Sequence, residues 1–166
     1  MSFDFLQERN WLRFLVDDDE FSLPLSCVAE VAKPRHSHMI PMIPSEVASV
    51  IALRGEPLLV FNTSSVLMQR IATAQSQVIV VDQGPQRAGL FASHVNRVEK
   101  IELAALGPEE EESRFETPSY LVWRDVRGRR VGFLDPRAFL DHAKTLLQVA
   151  RPAAQLKGEQ QCPSAF

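Results

Sequence analysis

The sequence is dominated by short apolar runs that occur in pairs around tight turns, and this pattern limits the folds that the chain can adopt. Residues 49–62 read SVIALRGEPLLVFN, in which two apolar runs, 50–53 and 58–61, are separated by a charged tetrapeptide at 54–57. Gly55, inside that tetrapeptide, can take the positive φ that a tight turn requires. The pattern predicts a β-hairpin between two buried strands, with an arginine in the turn.

Three more pairs of runs show the same pattern. They are 11–16 with 21–25 around the acidic residues 17–20, 77–81 with 87–92 around 82–86, and 120–126 with 129–134 around Arg127 and Gly128. Residues 95–101 predict one further strand or bend. Eight or more short strands joined by tight turns favour small barrels over a parallel sheet with crossover helices.

Helical signals are few. Residues 27–32 are interpreted as one or two helical turns, and 64–70 as a short helix. Asp135 at the N-cap and Pro136 at the first helical position predict a C-terminal helix. Residues 148–166 lose periodicity and gain Pro, Gln and Ser, so we expect a disordered tail there. The predicted class is all-β with one C-terminal helix.

Length and charge argue against several classes of protein. The chain has 166 residues, enough for one compact domain, and its 18 Lys and Arg against 21 Asp and Glu give a net charge of −3. Such a chain has no general positive field to hold nucleic acid or an anionic membrane. No apolar run approaches the ~18 residues needed to cross a bilayer, and the N-terminus lacks the features of a signal peptide. We expect a cytoplasmic protein that neither binds nucleic acid nor inserts into a membrane.

The residue types that carry catalytic or metal chemistry are not arranged in a recognisable pattern. His36 and His38 stand two apart, but no third ligand with the spacing of a metal site follows. The sequence contains no nucleophile elbow, phosphate-binding loop or dinucleotide fingerprint. Cys27 is predicted to lie in the core and Cys162 in the polar tail, so no disulfide is expected. We therefore expect a binding module, with no enzyme activity, no bound metal and no cofactor.

Four segments, in order along the chain from about Trp11 to about Leu147, resemble the CheW family of chemotaxis coupling proteins. They are FSLPLSCVAEV, IPMIPSEVASVIALRGEPLLVFN, VIVVDQGPQRAGLFASHVNRVEKI and RRVGFLDPRAFL. The second is similar to the family's proline loop and its G-V-I-N-L-R-G hairpin, and the third to its middle hairpin and D-x-V-x-x-V turn. The resemblance implies a single domain over 11–147, made of two intertwined SH3-like barrels of five strands each.

The resemblance also implies a function, partners and contact residues. Proteins of this family have no catalytic activity and link the histidine kinase CheA to methyl-accepting chemoreceptors. The implied partners are the regulatory domain of a CheA-like kinase and the cytoplasmic tip of a chemoreceptor. Matched residue by residue, Val28 and Glu30 fall on the family's short segment associated with partner contact, and Arg54 and Gly55 fall on its R-G hairpin tip.

Each of these assignments has an alternative. Arg54 can instead pair with Glu56 or with another acidic neighbour in its own barrel, and an apolar residue such as Val28 is more often part of a core than of an interface. A small double barrel also suits a ligand-binding or nucleic-acid-binding module without receptor coupling, because a fold alone does not decide function.

Five positions depart from the family's usual residues. Around the 49–62 hairpin the family usually has Gly, Asn, Pro and Asp where this chain has Ser49, Ala52, Leu59 and Asn62, and Ser93 replaces the usual Asp before the later turn. The framework of the hairpins is kept while several polar details change. We therefore expect a divergent paralogue that serves an alternative chemotaxis or motility pathway.

Overall fold

The computed structural model describes residues 4–43, 48–68, 76–107 and 120–159. The strands within these ranges are β1 (Asn10–Val16), β2 (Asp19–Pro24), β3 (Val28–Ala32), β4 (His38–Met39), β5 (Ala48–Leu53), β6 (Glu56–Phe61), β7 (Gln77–Gln83), β8 (Gln86–Ala92), β9 (His94–Lys100), β10 (Leu121–Val126) and β11 (Arg129–Leu134). The α-helices are α1 (Thr63–Met68) and α2 (Pro136–Glu159), and short 3-10 helices span Asp4–Gln7, Leu25–Cys27 and Leu103–Ala105. The predicted β-rich class with a C-terminal helix is confirmed.

The strands form two sheets, each of which surrounds a small apolar core of its own. The first barrel has the strand order β10-β11-β2-β1-β9, and its core includes Trp11 and Phe133. The second barrel has the order β3-β7-β8-β6-β5-β4, and its core includes Ile51 and Phe91. The predicted second barrel of five strands gains the two-residue strand β4 at its edge. In each barrel one pair of neighbours is parallel, β11 with β2 and β6 with β8, and the other pairs are antiparallel.

Both faces of the central strands are buried, which explains why their sequences are almost continuously apolar. In β7, Val78 and Val80 point into the core of the second barrel and contact its other apolar side chains. Ile79 and Val81 point the other way, into a larger core that lies between the two barrels. Side chains that alternate along one strand therefore stabilise two different cores.

The core between the barrels, called the shared core below, joins both sheets to the C-terminal helix. Phe14 and Phe21 come from the first barrel, and Phe61 and Leu90 from the second. Phe139 of α2 packs edge-to-face on Phe61, with ring centroids 6.4 Å apart. Because one apolar cluster contains residues of both barrels and of α2, the three parts are packed as a unit.

The start of the C-terminal helix agrees with its predicted cap. Oδ1 of Asp135 accepts hydrogen bonds from the backbone N–H groups of Arg137 (3.0 Å) and Ala138 (3.2 Å). These are two of the N–H groups that a helix leaves without a partner at its first turn, so the aspartate stabilises the start of the helix.

Two predictions of local structure were wrong. Residues 28–32 are not helical but form β3, because the β-branched Val28 and Val31 suit an extended chain and β7 supplies the hydrogen-bonding partner. The expected irregular tail from 148 onwards is instead helical as far as Glu159. The stretch 148–159 contains three Ala and two Gln, which favour extension of a helix that has already started, whereas Pro152 and Gly158 oppose it. Residues 160–166 lie outside the described residues.

Candidate functional site

The tip of the β5–β6 hairpin is a two-residue turn formed by Arg54 and Gly55. Leu53 pairs with Glu56 directly on either side of it. The φ angles are 53° at Arg54 and 85° at Gly55. Positive φ at both turn residues is the pattern of a type I′ hairpin, whose twist matches that of the flanking strands. The turn is shorter than the predicted tetrapeptide because strand pairing already resumes at Glu56.

Arg54 is held by Glu30, a residue of the edge strand β3. Arg54 Nη2 donates to Glu30 Oε2 at 2.7 Å. The Arg54 side chain is 80% exposed, whereas that of Glu30 is only 21% exposed. The carboxylate is therefore fixed against the barrel, and the guanidinium extends from it into solvent with further N–H donors available.

A second arginine completes the arrangement. Arg87 Nη2 lies 3.6 Å from Glu30 Oε1, and Arg87 Nε lies 3.4 Å from Asp82 Oδ1. Asp82 and Arg87 face each other across the β7–β8 hairpin. Glu30, Arg54, Arg87 and Asp82, called the Glu30 cluster below, thus connect β3, the β5–β6 turn and the β7–β8 hairpin through alternating charges.

The structure brings together three of the four residues predicted for partner contact. Glu30 and Arg54 touch, and Gly55 forms the turn that places Arg54. The acidic neighbour that sequence reasoning allowed for Arg54 is Glu30 rather than Glu56. Val28 does not join them, because it is partly buried and packs against the shared core. Sequence reasoning missed Arg87, although a predicted hairpin around DQGPQ already places Asp82 opposite it.

The first barrel carries an equivalent turn. Arg127 and Gly128 connect β10 to β11 with φ angles of 54° and 79°, and Arg127 is also 80% exposed. Arg127 Nη1 lies 3.6 Å from Glu99 Oε1, a longer approach than that of Arg54 to Glu30. Each barrel therefore presents an Arg–Gly turn with a glutamate beside it.

Glu99 also belongs to an ionic network inside the first barrel. Arg13 is only 2% exposed, and its guanidinium lies 2.8 Å from Glu20 and 2.9 Å from Glu99. A buried guanidinium is tolerated where carboxylates compensate its charge. This network connects β1, β2 and β9, so we interpret it as stabilising the fold of the first barrel.

The remaining candidates for chemistry are groups that could hold a metal ion and the thiol of Cys27. No three His, Cys, Asp or Glu side chains in the ranges that the structure covers are placed to hold a metal ion. None of the helices formed by the described residues has the length and apolar character needed to span a membrane. Cys27 is buried as predicted, its Sγ donates to the Pro24 carbonyl at 2.9 Å, and burial raises the pKa of its thiol to about 12. A thiol with so high a pKa is a poor nucleophile at neutral pH.

Comparison with known proteins assigns the family. The sequence model of the CheW-like domain matches residues 10–144, a span that includes strands of both barrels. The chain belongs to the CheW-like family. This confirms the resemblance that was drawn from the hairpin motifs.

Two relatives in the CheW-like family extend the comparison. The chemotaxis protein CheW of Helicobacter pylori is 25% identical over 100 residues, which are 59% of this chain and 61% of that protein. The chain thus spans about three fifths of the length of this curated relative. The crystal structure of the scaffolding protein TtCheW from Thermoanaerobacter tengcongensis matches with a TM-score of 0.66 and 18% identity, covering 78% of this chain and 85% of that one. The structural match supports the double-barrel fold.

Proposed function

We propose that this chain is a cytoplasmic, non-catalytic chemosensory adaptor that couples a CheA-like histidine kinase to chemoreceptors in a divergent chemotaxis or motility pathway. The observation that carries the proposal is the match of the CheW-like domain to residues 10–144. The names of the two relatives, a chemotaxis protein and a scaffolding protein, point in the same direction. Residues 11–147 act in this proposal as one domain that presents its surface to both partners.

The Glu30 cluster is the surface that we assign to the kinase regulatory domain. Arg54 extends from a turn whose flanking strands are fixed in the core, so the position of its guanidinium is defined before any partner arrives. A side chain that is already ordered loses less conformational entropy on binding. Its planar, forked donors suit a carboxylate or a carbonyl of the partner.

The strand that carries Glu30 also has an exposed apolar residue. β3 is an edge strand of the second barrel, and its Val31 side chain is 40% exposed. Since neighbouring residues of a strand point to opposite faces, Val31 lies on the other face of β3 from Glu30 and is not part of the Glu30 cluster. Val28, which packs inward, supports the cluster by holding β3 in place.

The test is a titration of the full chain and its variants against the kinase regulatory domain and, separately, a receptor tip. Arg54→Ala is expected to weaken kinase binding by about 1–3 kcal/mol, or roughly 5–150-fold, because a charge-assisted contact is lost. Arg54→Asn tolerates the positive φ of the turn and removes the guanidinium and most of the side chain's length, so it should behave like Arg54→Ala. Arg54→Lys keeps the charge without the fork and should lie between Arg54→Ala and wild type.

The matched control is Arg127→Ala, which removes an arginine of equal exposure from the equivalent turn of the first barrel. It should leave kinase binding within about twofold of wild type, since surface substitutions away from an interface change little. Equal losses in the two variants would contradict the assignment of the Glu30 cluster. Failure of the wild-type chain to bind either partner, or binding to nucleic acid that weakens steeply with salt, would contradict the adaptor function itself.

A further inference from the structure

Arg87 has a different place in the Glu30 cluster from Arg54. Arg54 lies at the tip of the β5–β6 hairpin, whereas Arg87 lies within β8 and pairs with Asp82 across the β7–β8 hairpin. The Arg87 side chain is 53% exposed, compared with 80% for Arg54. Its guanidinium approaches two carboxylates of the chain itself, those of Asp82 and Glu30. Arg87 is thus directed towards the cluster, while Arg54 extends into solvent.

The Glu30 carboxylate is contacted by one arginine on each of its oxygens. Oε2 accepts a hydrogen bond from Arg54 Nη2 at 2.7 Å, and Oε1 lies 3.6 Å from Arg87 Nη2. The terminal torsion of a glutamate side chain is broad, so a single cation leaves the plane of the carboxylate poorly defined. Two cations on different oxygens restrict that rotation. Arg87 therefore helps to fix the carboxylate that holds Arg54.

The backbone beside Glu30 is irregular. β3 is an edge strand, and its register with β7 shifts between Val28 and Glu30, which leaves Ala29 as an extra residue. Such a bulge locally disrupts the ladder of hydrogen bonds and redirects the side chains next to it. Glu30 itself pairs with Val80, whose side chain lies in the core of the second barrel, so the carboxylate lies at the rim of that core. Because the ladder gives little support there, the direction of the carboxylate depends on the two arginines.

We propose that Arg87 is a positioning residue for the docking of the kinase regulatory domain. It holds the Glu30 carboxylate, which in turn holds the Arg54 guanidinium in the orientation that meets the partner. Arg87 itself makes no contact with the partner. This inference rests on the proposed adaptor function and adds a residue to the same site. A donor that is already ordered loses less conformational entropy on binding, so loss of Arg87 weakens docking although Arg54 is intact.

Binding of the kinase regulatory domain to four forms of the full chain separates positioning from contact. The forms are wild type, Arg87→Gln, Arg54→Ala and the double variant. Arg87→Gln is expected to weaken binding by about two- to fivefold, in keeping with a partly exposed ion pair. In the Arg54→Ala background the same change should weaken binding no further, because the residue that Arg87 positions is gone. An equal loss in both backgrounds would mean that Arg87 contacts the partner, and no loss in either would mean that it has no role in docking; each result would overturn the inference.

The side-chain order of Arg54 tests the same inference without a partner. NMR relaxation of the Arg54 Nε–Hε group reports how firmly that side chain is held on the fast timescale. Arg87→Gln should lower the order parameter of this group, and an unchanged value would overturn the positioning role even where the wild-type chain binds the kinase domain. Failure of the wild-type chain to bind would contradict the adaptor function, and the docking role of Arg87 with it, whatever the order parameter shows.

Arg97→Gln is the matched control for both measurements. Arg97 is 60% exposed and lies 3.5 Å from Glu99 Oε2 on the first barrel. The substitution removes the same charge from beside another glutamate and should leave both the affinity and the order of Arg54 at their wild-type values. A loss of affinity equal to that of Arg87→Gln would show that net charge, rather than the position of Arg54, sets binding, and would overturn the inference. Thermal unfolding of each variant checks that the fold is retained.

Discussion

Arg54 Nη2 lies 2.7 Å from Glu30 Oε2 although the two residues are 24 positions apart in sequence. The pair connects the edge strand β3 to the tip of the β5–β6 hairpin, two elements that are not neighbours in the sheet. Because Arg54 is largely exposed, the surrounding water weakens the attraction between the charges. The contact therefore fixes the position of the guanidinium more than it stabilises the fold.

A double-mutant cycle measures how much the contact between Glu30 and Arg54 stabilises the fold. Glu30→Gln and Arg54→Ala are each expected to lower the free energy of unfolding by less than about 1 kcal/mol, with a coupling energy of about 0.2–1 kcal/mol between them. Urea unfolding of the two single variants and the double variant gives the coupling. A coupling above about 2 kcal/mol would mean that the pair is chiefly structural.

The two valines of β3 are expected to respond differently to a charge. Val28→Asp places a carboxylate against the shared core and should lower the free energy of unfolding by about 2 kcal/mol or more. Val31→Asp places the same charge on an exposed position and should change stability by less than about 0.5 kcal/mol. Thermal unfolding distinguishes them. Similar destabilisation by the two changes would mean that Val28 does not have the core role that its packing indicates.

The ionic network around the buried Arg13 is expected to contribute more to stability than the Glu30–Arg54 pair. Arg13→Met leaves Glu20 and Glu99 without their shared cation and should destabilise the fold by about 3–5 kcal/mol, as is typical when one partner of a buried pair is removed. Arg97 also approaches Glu99, at 3.5 Å, but from an exposed position. Arg97→Met is therefore the control and should cost less than about 1 kcal/mol in urea unfolding. A small effect of Arg13→Met would show that the first barrel tolerates the two carboxylates without it.

Stability should fall in alkaline solution because of Cys27. Burial raises the pKa of its thiol from 9.0 to about 12, so the folded state retains a proton that the unfolded state loses. The unfolded state then binds fewer protons between those two pKa values, and the free energy of unfolding falls as pH rises through that window. Urea unfolding between about pH 8.5 and about pH 10 should show a steeper fall in wild type than in Cys27→Ala, by at most roughly 1.4 kcal/mol per pH unit. Parallel profiles would contradict the prediction.

The hairpins could be predicted from the sequence because a turn and its two flanking runs are local features. The Arg127–Gly128 turn, for example, follows from a glycine between two apolar segments. β3 could not be predicted in the same way, since the six residues 27–32 also fit a short helix. They form a strand because they pair with β7, which is distant in sequence. Tertiary contacts outweighed the local pattern there.

The charged contacts of the site were harder to predict. Glu30 and Arg54 were selected by family resemblance, but their mutual contact depends on how the sheet curls, which no local pattern encodes. The burial of Arg13 has the same origin. Arg13 lies on the same face of β1 as Trp11 and Leu15, and only closure of the first barrel turns that face into an interior.

The interleaved order of strands has a consequence for synthesis of the chain. A ribosome that has delivered the chain as far as Ala92 has supplied every strand of the second barrel but only β1 and β2 of the first. The β1–β2 hairpin is therefore synthesised before its partner strands. Phe14 and Phe21 are not fully enclosed until β9, β10 and β11 emerge. Exposed apolar strands in a nascent chain invite aggregation, so the β1–β2 hairpin of this chain is open to aggregation until the later strands have been made.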